Sequence, residues 1–293
     1  MSWEERFQAW SRGPSQSETE RCENAIRAIK DAINASDALR QRNVTVFLQG
    51  SYRNRVNVRQ DSDVDIGVLC NSVHFANYPD GMSGKDFGVV DSDYTYATFK
   101  RDVGEALLNR FGPEHVTLGS KAFDIKSNTY RVEADVAAFF EHRRYYPNSN
   151  YTSGVELRSS HGGRVINWPE QHYTNSTNKN ARNARRYKRI VRILKKINYE
   201  MQTNNVPSSQ NIPGFLCECL VWNVPDKIFD ERQFSNILRD CLAYLYEQLN
   251  IESSNEWGEV SELKYLFSAN QKWTKQQAIN FVVGAYNYVG FGQ

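Results

Sequence analysis

The stretch FLQGSYRNRVNVRQDSDVDIGVLC, residues 47–70, sets Asp61, Asp63 and Asp65 at alternate positions and then runs straight into Ile66, Val68 and Leu69. Along a strand, residues two apart point to the same face, so Asp63 and Asp65 project together. Two partly buried carboxylates that close repel each other until one takes up a proton or a cation joins them. Paired carboxylates completed by phosphate oxygens are a common seat for Mg²⁺. The plainer alternative is that these acids cap turns or pair with Arg53 and Arg55.

Working outward, NVTVFLQGS (43–51) alternates and is β-branched, which predicts a strand ending at Gly50-Ser51. A glycine-serine turn at a strand end offers backbone N–H groups and a hydroxyl to a phosphate. Alone it says little; twelve residues ahead of an Asp-x-Asp it says much more. TYRVEADVAAFF (129–140) predicts another strand, with the lone carboxylate of Asp135 among Val132, Ala134, Val136 and Ala137. If that strand neighbours the first, three carboxylates converge, and three acids around two metal ions suit phosphoryl or nucleotidyl transfer.

The rest of the chain bounds this reading. Its 293 residues suffice for one large or two smaller domains, and 40% hydrophobic with 24% charged residues is ordinary for a globular protein. No run approaches the length of a membrane span, and the start MSWEERFQAW lacks the basic and apolar regions of a secretory signal. Five cysteines with no CxxC spacing point to reduced thiols and a cytoplasmic location. Helices are expected in the first forty residues, where Ala25, Ile26, Ile29, Ala32 and Ile33 recur at helical spacing behind Ser15, Ser17 and Thr19, and over 96–111. DVDIGVLC and HVTLGSKAFDIKS read as further strands, and residues 71–95 as an irregular excursion. Beyond about residue 165 the pattern turns helical: NARRYKRIVRILKKINYEM, GFLCECLVWNV, FSNILRDCLAYLYEQL and KQQAINFVVGAYNYVGF. The expectation is an α+β chain, with a small mixed sheet and its helices over 1–165 and a helical domain over 166–293 that closes the active-site cleft.

Net charge is only +2, yet nine Lys or Arg and no acid lie between Lys179 and Lys196, which leaves the remainder of the chain at −7. One concentrated basic helix in an otherwise acidic chain is suited to holding an anion.

GSY…DSDVDIGV followed by a strand aspartate resembles the polymerase β-like nucleotidyltransferase superfamily. Over nearly the whole chain, with RVEADVAAF, the basic helix and the ending AYNYVGF, the sequence is similar to the bacterial cGAS/DncV-like nucleotidyltransferases, most closely their clade E. The resemblance implies that Asp63, Asp65 and Asp135 are the catalytic, metal-binding triad for Mg²⁺, with Mn²⁺ able to substitute. It implies that Gly50 and Ser51 cradle phosphate, and that Gln49 and Tyr52 position the turn. Asp61 has no catalytic counterpart and reads as a turn residue. On a helical wheel Lys188 and Lys195 fall about 20° apart beside the apolar stripe, with Arg192 further round, so they read as a triphosphate clamp. Arg185, Arg189 and Lys196 point outward. Asn167 matches the position associated with base choice, where an amide answers the O4/N3–H edge of uracil; alternatively it caps the turn that Pro169 begins.

The function so implied is a cyclic dinucleotide synthase in anti-phage (CBASS) defence. It uses NTPs, with UTP and ATP favoured, and its product is read by a separate effector. A monomer is expected, with room for a regulatory protein partner but no membrane and no obligate nucleic acid. An RNA-tailing or small-molecule nucleotidyltransferase and a catalytically silent nucleotide sensor are the alternatives. The single basic cluster argues against the first, and the intact triad against the last.

Overall fold

The computed structural model describes residues 1–58 and 63–292, so Asp61 lies outside the described residues. The chain divides into two compact units. One comprises Met1–Pro14, Asn54–Val58 and the chain from Glu170 onward; the other comprises Ser15–Arg53 and the described residues up to Pro169.

The second unit carries the sheet. Its long helix α2 (Gln16–Ala35) opens at a capping box, with the Ser15 hydroxyl accepting from the Glu18 N–H, and buries Cys22, Ala25, Ile29, Ala32 and Ile33. The short helix α3 (Asp37–Arg40) follows. Strand β1 (Val44–Leu48) leads into a single helical turn, α4 (Gly50–Arg53). Strand β2 (Val64–Asn77) runs beyond Cys70 through residues expected to be irregular, shifting register between Cys70 and His74. The excursion is thereby shortened to the segment ahead of α5 (Tyr96–Phe111), which ends where Gly112 turns to positive φ and its N–H reaches the Leu108 carbonyl.

The stretch HVTLGSKAFDIKS forms a hairpin, β3 (Val116–Leu118) and β4 (Phe123–Ile125), in place of one strand. Strand β5 (Ala134–Tyr145) follows, and then a hairpin absent from the sequence expectations, β6 (Tyr151–Arg158) with β7 (Arg164–Asn167). The sheet order is β1-β2-β5-β4-β3, with β6 on β5 and β7 on β6. Only β2 and β5 run parallel among the described pairs; the crossover between them contains α5. One apolar core, including Ile29, Ile66, Val68, Phe99, Leu107, Val136 and Phe140, fills the space between helices and sheet.

The other unit is helical. It contains α1 (Trp3–Trp10), α6 (Pro169–Arg182), α7 (Tyr187–Thr203), α8 (Gly214–Trp222), α9 (Phe234–Leu249) and α10 (Lys275–Tyr288) around a separate core. The α7 stripe of Tyr187, Ile190, Val191, Leu194 and Ile197 is buried as its periodicity predicts. Helix α6 has no apolar stripe in PEQHYTNSTNKNAR and was invisible to the sequence pattern. All five cysteines are unpaired and buried, and no described helix is long and apolar enough to cross a membrane.

Candidate active site

Strand register decides which side chains meet. Asp65 stands opposite Asp135 in the parallel β2–β5 pair, and Asp124 stands opposite Asp135 from the antiparallel β4. Three carboxylates therefore lie abreast on neighbouring strands, on one face of the sheet. Their flanking residues Val64, Ile66, Ala134, Val136, Phe123 and Ile125 point the other way into the core. Asp63, just ahead of β2, is exposed, and its charge reaches Asp135.

The electrostatics follow from that row. Burial, then the charges of Asp63, Asp124 and Asp65, then a hydrogen bond with Asp124, push the Asp135 carboxyl up to about 7. The leading charges acting on Asp135 are all negative. Among the described residues no three His, Cys, Asp or Glu side chains are already gathered to hold a metal ion. The strands supply an open row of carboxylate oxygens, the hard donors that Mg²⁺ takes, in a setting that a cation would relieve. The donor set fits a divalent metal.

Gly50 completes the geometry. The Gln49 N–H donates to the Asp65 carbonyl at 2.9 Å, which carries the β1–β2 ladder to the edge of the turn. Gly50 then takes φ +64°, and a Cβ there would lie 1.9 Å from Asp65 Oδ2. The turn thus packs its bare backbone against the carboxylate, which only glycine allows. Ser51 is half-buried, and no hydrogen bond of its hydroxyl is seen among the described residues. Tyr52, buried beneath the turn, belongs to the core of this unit.

The basic-helix residues occupy less open surroundings than a free edge of amines. Lys188 and Lys195 are both buried. Lys188 Nζ lies 3.3 Å from Thr177 Oγ1, and burial pulls its pKa down. Lys195 Nζ lies 3.4 Å from Glu218 Oε2, while His172 Nε2 takes Glu218 Oε1 at 2.8 Å. Although burial opposes its charge, Lys195 and His172 hold the Glu218 carboxyl at about 2. The signal for this was one acid inside the apolar helix GFLCECLVW. Arg192 is buried and committed to the carbonyls of Ser11 and Arg55, so it anchors local structure in the helical unit. Arg185 and Arg189 are exposed, as expected, and Lys196 is half-buried.

Asn167 ends β7, paired with Val155, and is half-buried. Among the described residues its side-chain amide makes no hydrogen bond, and no cap on α6 is formed by it. The residue that sequence reasoning missed is Asp124. In AFDIKS it alternates with Phe123 and Ile125, the pattern that exposed the other aspartates, but a three-residue strand offers too little pattern to read.

A cavity of about 1430 Å³ lies elsewhere in this unit, lined by Tyr78, Tyr96, Lys100, Phe123, Phe140 and Tyr145 among others. Phe123 and Phe140 have the opposite strand parity from Asp124 and Asp135, so this cavity faces away from the carboxylates.

A family profile for the cGAS/DncV-like nucleotidyltransferase C-terminal helical domain matches residues 174–290. The chain is 40% identical over 293 residues to a cyclic dipyrimidine nucleotide synthase CdnE of Legionella pneumophila, covering 99% of this chain and 98% of the relative. It is 36% identical over 296 residues to a cyclic dipurine nucleotide synthase of Elizabethkingia meningoseptica, covering 98% of each. Among solved structures, the Rhodothermus marinus CdnE c-UMP-AMP synthase with Apcpp and Upnpp superposes with a TM-score of 0.88 at 29% identity, over 99% of this chain and 97% of that one.

Proposed function

The chain belongs to the cGAS/DncV-like nucleotidyltransferases, clade E, and is a nucleotidyltransferase that makes cyclic dinucleotides; from that premise we propose that its carboxylate row is the catalytic centre and that its product contains at least one UMP. The observation that carries the reading is the register of Asp65 against Asp135 beside a Gly50 backbone that only glycine allows. Asp63, Asp65 and Asp135 would hold Mg²⁺, which supplies charge neutralisation for the triphosphate and its leaving group.

The chain's own residues do the rest. The Gly50-Ser51 turn offers backbone N–H groups and an unengaged hydroxyl to phosphate oxygens. In the helical unit, Lys188 and Lys195 are proposed as phosphate-binding cations, Lys195 by exchanging its contact with Glu218 for a phosphate oxygen. Asp135, abreast of Asp65 on the neighbouring strand, would help hold the metal beside the attacking ribose hydroxyl, whose proton leaves to water. That hydroxyl forms a new P–O bond at the α-phosphorus of an NTP as the bond to pyrophosphate breaks. A second such transfer closes the ring. The product serves as a signal for a separate effector in anti-phage defence.

Base choice rests on Asn167. Its amide presents a donor and an acceptor, and no described residue engages them, so it can answer the O4/N3–H edge of uracil. Relatives named as dipyrimidine and UMP-AMP synthases support pyrimidine use, while the dipurine synthase shows that base choice varies among close relatives. The test is single omission of each NTP from reactions with Mg²⁺. Loss of the cyclic product without UTP is expected, and Asn167→Ser should shift incorporation toward purines. Unchanged synthesis from ATP and GTP alone would refute the base assignment.

A further inference from the structure

Strand β5 and the β6–β7 hairpin beside it enclose a buried polar assembly that phosphate and metal binding leave unexplained. His142 and Glu156 are both 0% exposed. His142 Nδ1 lies 2.8 Å from Glu156 Oε2, and Arg164 donates to the same carboxylate through Nε at 2.8 Å and Nη2 at 2.9 Å. Burial works against the charge, but His142 and Arg164 together hold the Glu156 carboxyl below its ordinary range. A well-packed apolar cluster stabilises a core at least as well, so a buried ionic cluster points to a need for one fixed geometry.

What it fixes is the indole of Trp168, the residue after Asn167. Trp168 is 3% exposed, and His142 meets it edge-on, with ring centroids 5.5 Å apart at 82°. The Arg144 guanidinium lies over the same ring at 4.7 Å. On another side is the backbone of Gly154, which the register places opposite His142. A Cβ on Gly154 would lie 2.6 Å from Trp168 Cε3 and 2.7 Å from the Asn167 carbonyl oxygen. The second contact is to backbone, so no side-chain rotation relieves it.

We infer that Gly154, His142 and Glu156 are positioning residues for base selection: they lock Trp168, and through the adjoining peptide they hold the Asn167 amide in one orientation toward the nucleobase edge. The inference rests on the reading of Asn167 given above. An amide discriminates between bases only while donor and acceptor are aligned, because hydrogen bonds weaken steeply with angle and distance. Loosening the seat therefore blurs base choice before it stops the chemistry.

The experiment is competition between UTP and ATP, read as the ratio of UMP to AMP in product, alongside total turnover and thermal melting. Gly154→Ala should lower the UTP preference about tenfold, the worth of one well-aligned hydrogen bond, with total turnover within a few-fold of wild type. His142→Asn keeps a donor at the Nδ1 position toward Glu156 but removes the ring edge, should shift the ratio the same way by a smaller factor, and decides the matter if Gly154→Ala does not fold. Leu157→Ala, in the same hairpin and also buried, should lower the melting temperature without moving the ratio. An unchanged ratio in both Gly154→Ala and His142→Asn, while Asn167→Ser shifts it, overturns this inference alone. An unchanged ratio in Asn167→Ser overturns the base reading and this inference with it.

Discussion

Gly50→Ala separates the geometry of the phosphate turn from mere folding. Two penalties act. At φ +64° an alanine sits in the left-handed region, which costs roughly 1–2 kcal/mol. The new Cβ would also lie 1.9 Å from Asp65 Oδ2, so the carboxylate or the turn must retreat by about 1.5 Å to reach ordinary contact. A displacement of about 1 Å in a reacting centre is worth about 10²-fold in rate, so kcat/KM should fall at least that much, close to 2.7 kcal/mol. The melting temperature should fall by about 2–8 °C from the backbone penalty. Gly81→Ala is the control: its φ is +76°, but no atom lies within 4 Å of its hypothetical Cβ. It should lose similar stability and keep its activity. Pyrophosphate release and thermal melting on both variants give the answer. Retention of more than about a third of wild-type turnover by Gly50→Ala would refute the argument, as would an equal loss of activity in Gly81→Ala.

Four further outcomes follow from these assignments. Asp63→Asn combined with Asp65→Asn removes ligands without removing volume, so melting should persist while nucleotide incorporation disappears; retention of a tenth of the rate would contradict the triad. Protons compete with metal for Asp135, so the Mg²⁺ concentration for half-maximal rate should climb about tenfold per pH unit below 7 and level off above it. Because the folded-state pKa of Asp135 is raised, stability is lost as pH rises from about 4 to about 7 and the loss levels off above that. Asp135→Asn should thus raise the melting temperature at pH 8 by about 2–4 °C per kcal/mol relieved, with no gain near pH 4, where the wild-type group is protonated in the fold. Lys188→Ala or Lys195→Ala should raise KM for NTP about ten- to hundred-fold, the range for one charged hydrogen bond, in steady-state assays at saturating Mg²⁺.

The sequence disclosed elements whose local pattern and tertiary role agree. Helix α5 lies where its periodicity and Gly112 put it, and β2 and β5 are paired as the isolated aspartates required. It was silent where polar residues do structural work. Strand β6 buries Glu156 on the face that alternation with Val155 and Leu157 would leave to solvent, and its pairing with His142 and Arg164 is a tertiary fact. Helix α6 is polar throughout and buries only Ser176 and Lys179, the latter satisfied by the Val224 carbonyl and Asp226. Strand β2 continues beyond Cys70 because β5 pairs with it as far as Asn77, which overrides the turn-like composition of that segment. The surroundings of Lys195 depend on Glu218, on a different helix, and no spacing rule reaches it.

The central claim is that this carboxylate row joins two NTPs into a ring. The most direct measurement is to incubate the protein with all four NTPs and Mg²⁺, treat with phosphatase, and weigh the surviving product by mass spectrometry. The account predicts a phosphatase-resistant cyclic dinucleotide containing at least one UMP, absent when Asp63→Asn and Asp65→Asn are combined. Only phosphatase-sensitive linear products, or a cyclic product that survives loss of both aspartates, would contradict it.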